Sequence, residues 1–224
     1  MRTGGVDEKG PERLVALSDG IFAIAMTLLV LDIRVASGLH ADAFREALSG
    51  MLPALGAYAL SFTILAGFWR DHRRILNLVR QVDGLTLRLA LAGLGAIALV
   101  PFPTTLLSDY ASKPPAVACY AATVVVIDLL ELALFLTVWF RPWMAHPISR
   151  HVAQNIVLDL GSTILVFAAT VPVAFFFPKA AIWTWLVLAP VKLALGRRQR
   201  SQADGPDRAR RDRRDTAREN RPDA

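Results

Sequence analysis

Asp19, Asp128 and Glu131 are carboxylates set in otherwise apolar runs. A carboxylate at the middle of a bilayer costs roughly 2.5–3.5 kcal/mol on insertion scales, so each needs a proton, a cation or a basic partner. Asp19 stands in the cluster Ser18-Asp19-Gly20, inside the run RLVALSDGIFAIAMTLLVLDIRV at 13–35. A Ser/Asp pair can cap a helix start at the interface. The apolar periodicity already begins at Leu14, however, which favours a carboxylate about a turn and a half inside the membrane, facing protein. Asp128 and Glu131 fall one turn apart on one helix face. They suit either a proton-sensitive or cation-binding site, or a buried pair with at least one member protonated and bonded to a neighbouring helix. The second is favoured. They are too close on one helix to flank a substrate as a glycosidase-type acid/base pair. No nucleophile–base set, zinc spacing, Walker loop or glycine-rich nucleotide fingerprint occurs, so neither an enzyme nor a cofactor or metal is expected. His40, His146 and His151 stand alone between apolar runs, and the single Cys119 excludes an internal disulfide.

The elements that must position these groups follow from the apolar runs. The 224 residues are 54% hydrophobic, with a mean hydropathy of +0.41, more apolar than soluble domains usually are. The expected architecture is an all-α membrane protein with six spans, at about 14–35, 48–69, 85–107, 116–140, 155–177 and 180–195. Residues 1–12 and the Arg/Asp-rich tail 196–224 are expected to be disordered around a membrane domain of 13–195. Pro101 and Pro103 must bend or end the third span. Asp32 and Arg34 spoil a signal-peptide cleavage site at 35–37, so the first run is expected to be retained.

The net charge of +6 gathers at the N-terminus, the loops 70–80 and 141–151, and the tail. It orients the chain and does not call for nucleic acid. By the positive-inside rule both termini are cytoplasmic, and all four basic segments fall on one side. Asp19, Arg88, Asn155 and Asp159 then share the cytoplasmic third of their spans, with His72 and Arg73 at the adjoining loop. One polar layer is expected there, with Asp19 and Asp159 neutralised by Arg88, Arg13 or Arg73. The pairing is open.

The first span has a second surface. With Leu17 as zero on a helical wheel, Gly20, Ile21, Ile24, Leu28, Leu31 and Val35 lie within about 60° of it, Thr27 at about 80°, and Asp19 at about 200°. By residue type alone, an aliphatic stripe means helix packing or lipid contact.

Arg13, then Leu17-Ser18-Asp19, then Ile24, Thr27 and Leu28 resemble the signature of the transmembrane protein 175 family of potassium channels. Leu17 departs from the family's usual Phe and loses an aromatic packing contact. Trp69 and His72 resemble the end of the family's second helix, and 101–104 (PFPT) the end of its third. The likeness is strong in the first half of the chain and rests on span count in the second. It implies a homotetrameric potassium channel in the plasma membrane of a prokaryote, without a re-entrant carbonyl filter. Ile24, Leu28 and Leu31 would form stacked aliphatic rings around a central axis, with Thr27 offering a hydroxyl. Ser18, Asp19, Arg13, His72, Arg73, Arg88 and Asp159 would fix the first helix from behind. The competing class is a proton- or cation-coupled secondary transporter using Asp19, Asp128 and Glu131. Such transporters commonly show inverted repeats, and none is evident between the two halves.

Overall fold

The computed structural model describes residues 10–35, 37–141, 148–177 and 180–185. The chain forms α1 (Gly10–Leu28), continued by a 3-10 turn (Leu29–Asp32), then α2 (Ala41–Gly50), α3 (Leu52–Leu76), α4 (Gly84–Ala98), α5 (Pro101–Asp109), α6 (Pro114–Trp139) and α7 (Arg150–Phe176). Among the described residues, five helical segments are long and apolar enough to cross a membrane, α2–α3 and α4–α5 each counting as one. Of the sixth expected span, 180–185 is helical, and 186–195 lies outside the described residues. The expected disordered tail also lies outside them, as does 1–9; helix α1 starts at Gly10, ahead of the expected boundary.

Local chemistry sets these boundaries. Asp83 caps α4 by accepting from the Thr86 amide at 2.8 Å, and Ser149 caps α7 through the Val152 amide at 3.4 Å. Proline stands in the first turn of α3, α5 and α6, where no amide partner is lost. The third span breaks as its prolines require. The Leu99 and Val100 amides bond back three residues, to Ala96 and Ile97, before α5 resumes at Pro101.

Three boundaries differ from the sequence expectation. The segment 41–50, expected as loop, is α2. The loop expected at 70–80 is instead the last two turns of α3 as far as Leu76: its charged residues end the hydropathy signal, not the helix. Likewise α7 starts at Arg150, inside the expected basic loop.

Packing centres on α6, which lies against α3, α4, α5 and α7, while α1 lies against α3 and α4. Buried apolar residues form two clusters. One includes Phe22, Leu65, Phe68, Leu94, Tyr120 and Ile127; the other includes Leu14, Ile75, Ala90, Leu134, Ile156 and Leu160. The break between them falls at the same height on three helices: Ser18 on α1, His72 on α3, and Asp128 with Glu131 on α6, all buried. A polar layer thus divides the core.

Candidate functional site

Helix α1 has two opposed surfaces. Leu14, Ser18, Phe22 and Ala25 are buried, and Leu29 continues the same line. The aliphatic stripe turns away from the subunit: Ile24 is 61% and Leu31 54% exposed, and Leu17 and Leu28 are exposed as well. Thr27 shares that surface, its hydroxyl donating to the Ile24 carbonyl at 2.9 Å. The hydroxyl oxygen therefore keeps its acceptor capacity on the exposed side. One helix thus offers the rest of the subunit a close-packed back and leaves a row of branched side chains bare.

The back is fixed by a chain of hydrogen bonds through three helices. Ser18 Oγ donates to the Leu14 carbonyl at 2.7 Å and lies 3.1 Å from His72 Nε2. His72 Nδ1 lies 2.6 Å from Glu131 Oε1. His72 and Glu131 are each 1% exposed. A serine hydroxyl has a single proton, and the Leu14 carbonyl takes it. Towards His72 the oxygen can only accept, so Nε2 carries a proton. One further proton then lies between Nδ1 and Oε1. Either a neutral imidazole accepts from a protonated Glu131, or an imidazolium donates to the carboxylate. Both arrangements leave the pair without net charge, which suits a layer sealed between two apolar clusters. Glu131 Oε2 has no hydrogen-bond partner among the described residues. Phe22 covers the imidazole, with ring centroids 5.7 Å apart. Gly93 of α4 lies alongside, where an added Cβ would stand 3.6 Å from Glu131 Oε1.

Asp19 sits on a separate, half-exposed cluster. Trp69 Nε1 donates to Asp19 Oδ1 at 2.7 Å, and Arg73 Nη1 to Oδ2 at 3.3 Å. The Arg73 guanidinium also stands 5.6 Å from the centre of the Trp69 ring, a cation–π distance. Both bonds tie α1 to α3.

The expected partners resolve as follows. Arg73 meets Asp19. Asp159 is met by Arg70, at 3.4 Å, a residue the sequence did not single out. Arg13 and Arg88 are exposed and form no ion pair among the described residues, so neither neutralises Asp19 or Asp159 within the subunit. His72, expected at a loop, is inside α3 and buried. Asp128, 1% exposed, shares its face of α6 with Glu131. The sequence expectation of a bond from this pair to a neighbouring helix names no partner; for Glu131 the partner is His72 on α3. Its signal was the alternation in 69–76 (WRDHRRIL), where His72 and Ile75 continue the buried line of Phe68 at helical spacing.

Residues 13–101, which carry most of α1 and all of α2 to α4, match the model of the family described as endosomal/lysosomal potassium channel TMEM175. A potassium channel of Streptomyces collinus is 35% identical over 173 residues, covering 73% of this chain and 82% of the relative. A potassium channel of Chamaesiphon minutus is 36% identical over 153 residues, covering 64% of this chain and 70% of the relative. The crystal structure of a lysosomal potassium-selective channel TMEM175 homolog from Chamaesiphon minutus superposes with a TM-score of 0.74 at 26% identity, covering 82% of this chain and 96% of that one. With its all-helical membrane architecture and the two-faced first helix, the chain belongs to the TMEM175 family.

Proposed function

We propose that the protein is a potassium-selective channel of a prokaryotic plasma membrane, assembled as a homotetramer with α1 of each subunit around the pore. One observation carries this reading: α1 is packed on its Ser18–Phe22–Ala25 side and bare along Leu17, Ile24, Leu28 and Leu31. The bacterial relatives named as potassium channels support the ion and the host membrane. Around a four-fold axis the stripe becomes stacked aliphatic rings, a constriction that blocks ions by dewetting when narrow and passes them when widened. Thr27 lies beside the Ile24 ring and supplies an acceptor oxygen where the rings alone have none. The Ser18–His72 bond, with His72 backed by Glu131, and the Asp19–Trp69–Arg73 bonds hold the rotation of α1, so that the stripe and not the polar side meets the axis.

A transporter working through Asp19, Asp128 and Glu131 needs those carboxylates to reach water and release their partners during its cycle. Asp128 and Glu131 are 1% exposed in the subunit, Glu131 is bonded to His72, and the half-exposed Asp19 is held by Trp69 and Arg73.

The test is reconstitution into planar bilayers under opposed potassium and sodium gradients. Unitary currents reversing near the potassium equilibrium potential are the expected result. Saturable flux without unitary currents, or flux that follows a proton gradient, overturns the channel.

A further inference from the structure

Helix α2 has no place in the packed subunit. None of its ten residues is buried. It joins α3 through Met51 alone, and the preceding His40 provides no side-chain cap. Its apolar side chains are left without cover from the subunit.

The pattern along α2 shows what covers those side chains. With Phe44 as zero on the wheel, Ala41, Ala47, Leu48 and Met51 fall within about 60° of it, while Arg45, Ser49, Asp42 and Glu46 lie about 100–200° away. Phe44 and Leu48 are both exposed. The helix stops because Pro53 has no amide for the Ser49 carbonyl and its ring crowds that group. The Met51 amide bonds back to Leu48 instead, at 3.3 Å.

Position follows from length. Helices α2 and α3 together make a 36-residue helical stretch, about 54 Å if straight, against a hydrocarbon core of about 30 Å. Leu52 to Trp69 alone crosses about 27 Å before the charged turns that start at Arg70. Helix α2 therefore begins where α3 leaves the acyl chains, at the end opposite the basic loops. The apolar surface continues past Met51, since Leu52 and Leu55 are exposed too.

We propose that α2 is an interfacial helix. It lies flat in the headgroup layer, with Phe44 and Leu48 in the acyl-chain boundary and Asp42, Arg45, Glu46 and Ser49 towards water. A neighbouring copy is the weaker occupant. Two large apolar side chains supply a small part of the roughly 800 Å² per partner that a stable protein interface buries. The bilayer, in contrast, is held beside α2 by α3 itself, at no cost of association. The anchor fastens the connection that leads from the 3-10 turn of α1 to α3, and so fixes the far end of the helix bearing the aliphatic stripe.

The experiment uses the full chain with Cys119→Ala, carrying a nitroxide at Phe44→Cys, Leu48→Cys, Arg45→Cys or Ser49→Cys in turn. Each protein is reconstituted into phosphatidylcholine/phosphatidylglycerol liposomes. Power-saturation spectra with oxygen, which enters the bilayer, and with a water-soluble nickel chelate report what surrounds each label. The expected result is a several-fold excess of oxygen over nickel collisions at 44 and 48, reversed at 45 and 49. Equal nickel access at all four sites, meaning water on every side, overturns the proposal. So does low access to both reagents at 44 and 48, meaning contact with a second copy. Because the readout is independent of conduction, its failure is distinguishable from failure of the channel assignment.

Discussion

A double-mutant cycle on His72 and Glu131 tests the proton chain behind α1. Replacing His72 by Leu keeps an apolar side chain against Phe22 but removes the one hydrogen-bond partner that Glu131 Oε1 has at 2.6 Å. Breaking a buried pair in this way costs about 3–5 kcal/mol. Glu131→Leu keeps the His72–Ser18 bond but leaves Nδ1 of His72 without its partner, for about 1–3 kcal/mol. Ser18 keeps the Leu14 carbonyl in both variants. The double variant buries two apolar groups in place of the pair and is expected near wild-type stability. The two residues should therefore couple by more than about 2 kcal/mol, whereas a lone interhelical hydrogen bond in a membrane protein averages about 0.6 kcal/mol. Unfolding of the four proteins in mixed micelles of rising dodecyl sulfate fraction, followed by circular dichroism, measures the cycle. Single losses that add within about 0.5 kcal/mol in the double variant refute a neutral, proton-sharing pair.

Ile24→Asn introduces an amide into the proposed aliphatic ring at that position; liposome flux should rise and the potassium-to-sodium permeability ratio fall, and unchanged flux counts against a pore lined by α1. Trp69→Phe removes the Nε1–H donor to Asp19 on a half-exposed cluster and should lower stability by about 1 kcal/mol in the same micelle assay. Asp83 caps α4 and pairs with Arg141; hydrogen bonding to Thr86 chiefly, with Arg141 adding, holds its carboxyl below the usual value. A depressed folded-state pKa gives stability that is fully present above the unfolded value of about 3.9 and lost as pH falls through the folded value. The melting temperature of the wild type should therefore drop more between pH 5 and pH 3 than that of Asp83→Asn, and parallel curves would contradict the assignment.

Sequence reasoning reached the helices through the length of their apolar runs and the proline break at 101–103. It found Asp19 because a charge in an apolar run is conspicuous whatever the fold. It misjudged the end of the second span because hydropathy counts charges without regard to direction. In α3, Arg73 is exposed, Arg70 reaches across to Asp159 and His72 is buried, and a linear average merges them into a loop. Helix α2 was missed for the opposite reason. Its apolar and polar residues alternate at helical spacing but are too few to raise the mean hydropathy.

The stripe from Leu17 to Leu31, its separation from Asp19, and the need of Asp19, Asp128 and Glu131 for company were determined by the sequence alone. Each depends only on residue type and on the 3.6-residue period. Which group answers which was decided by tertiary structure. Asp19 takes Trp69 and Arg73, Asp159 takes Arg70, and Glu131 takes His72, because helix rotation and vertical register bring those side chains to one height. Rotation and register arise from the packing of two apolar clusters above and below the polar layer. No local spacing in the chain encodes that packing.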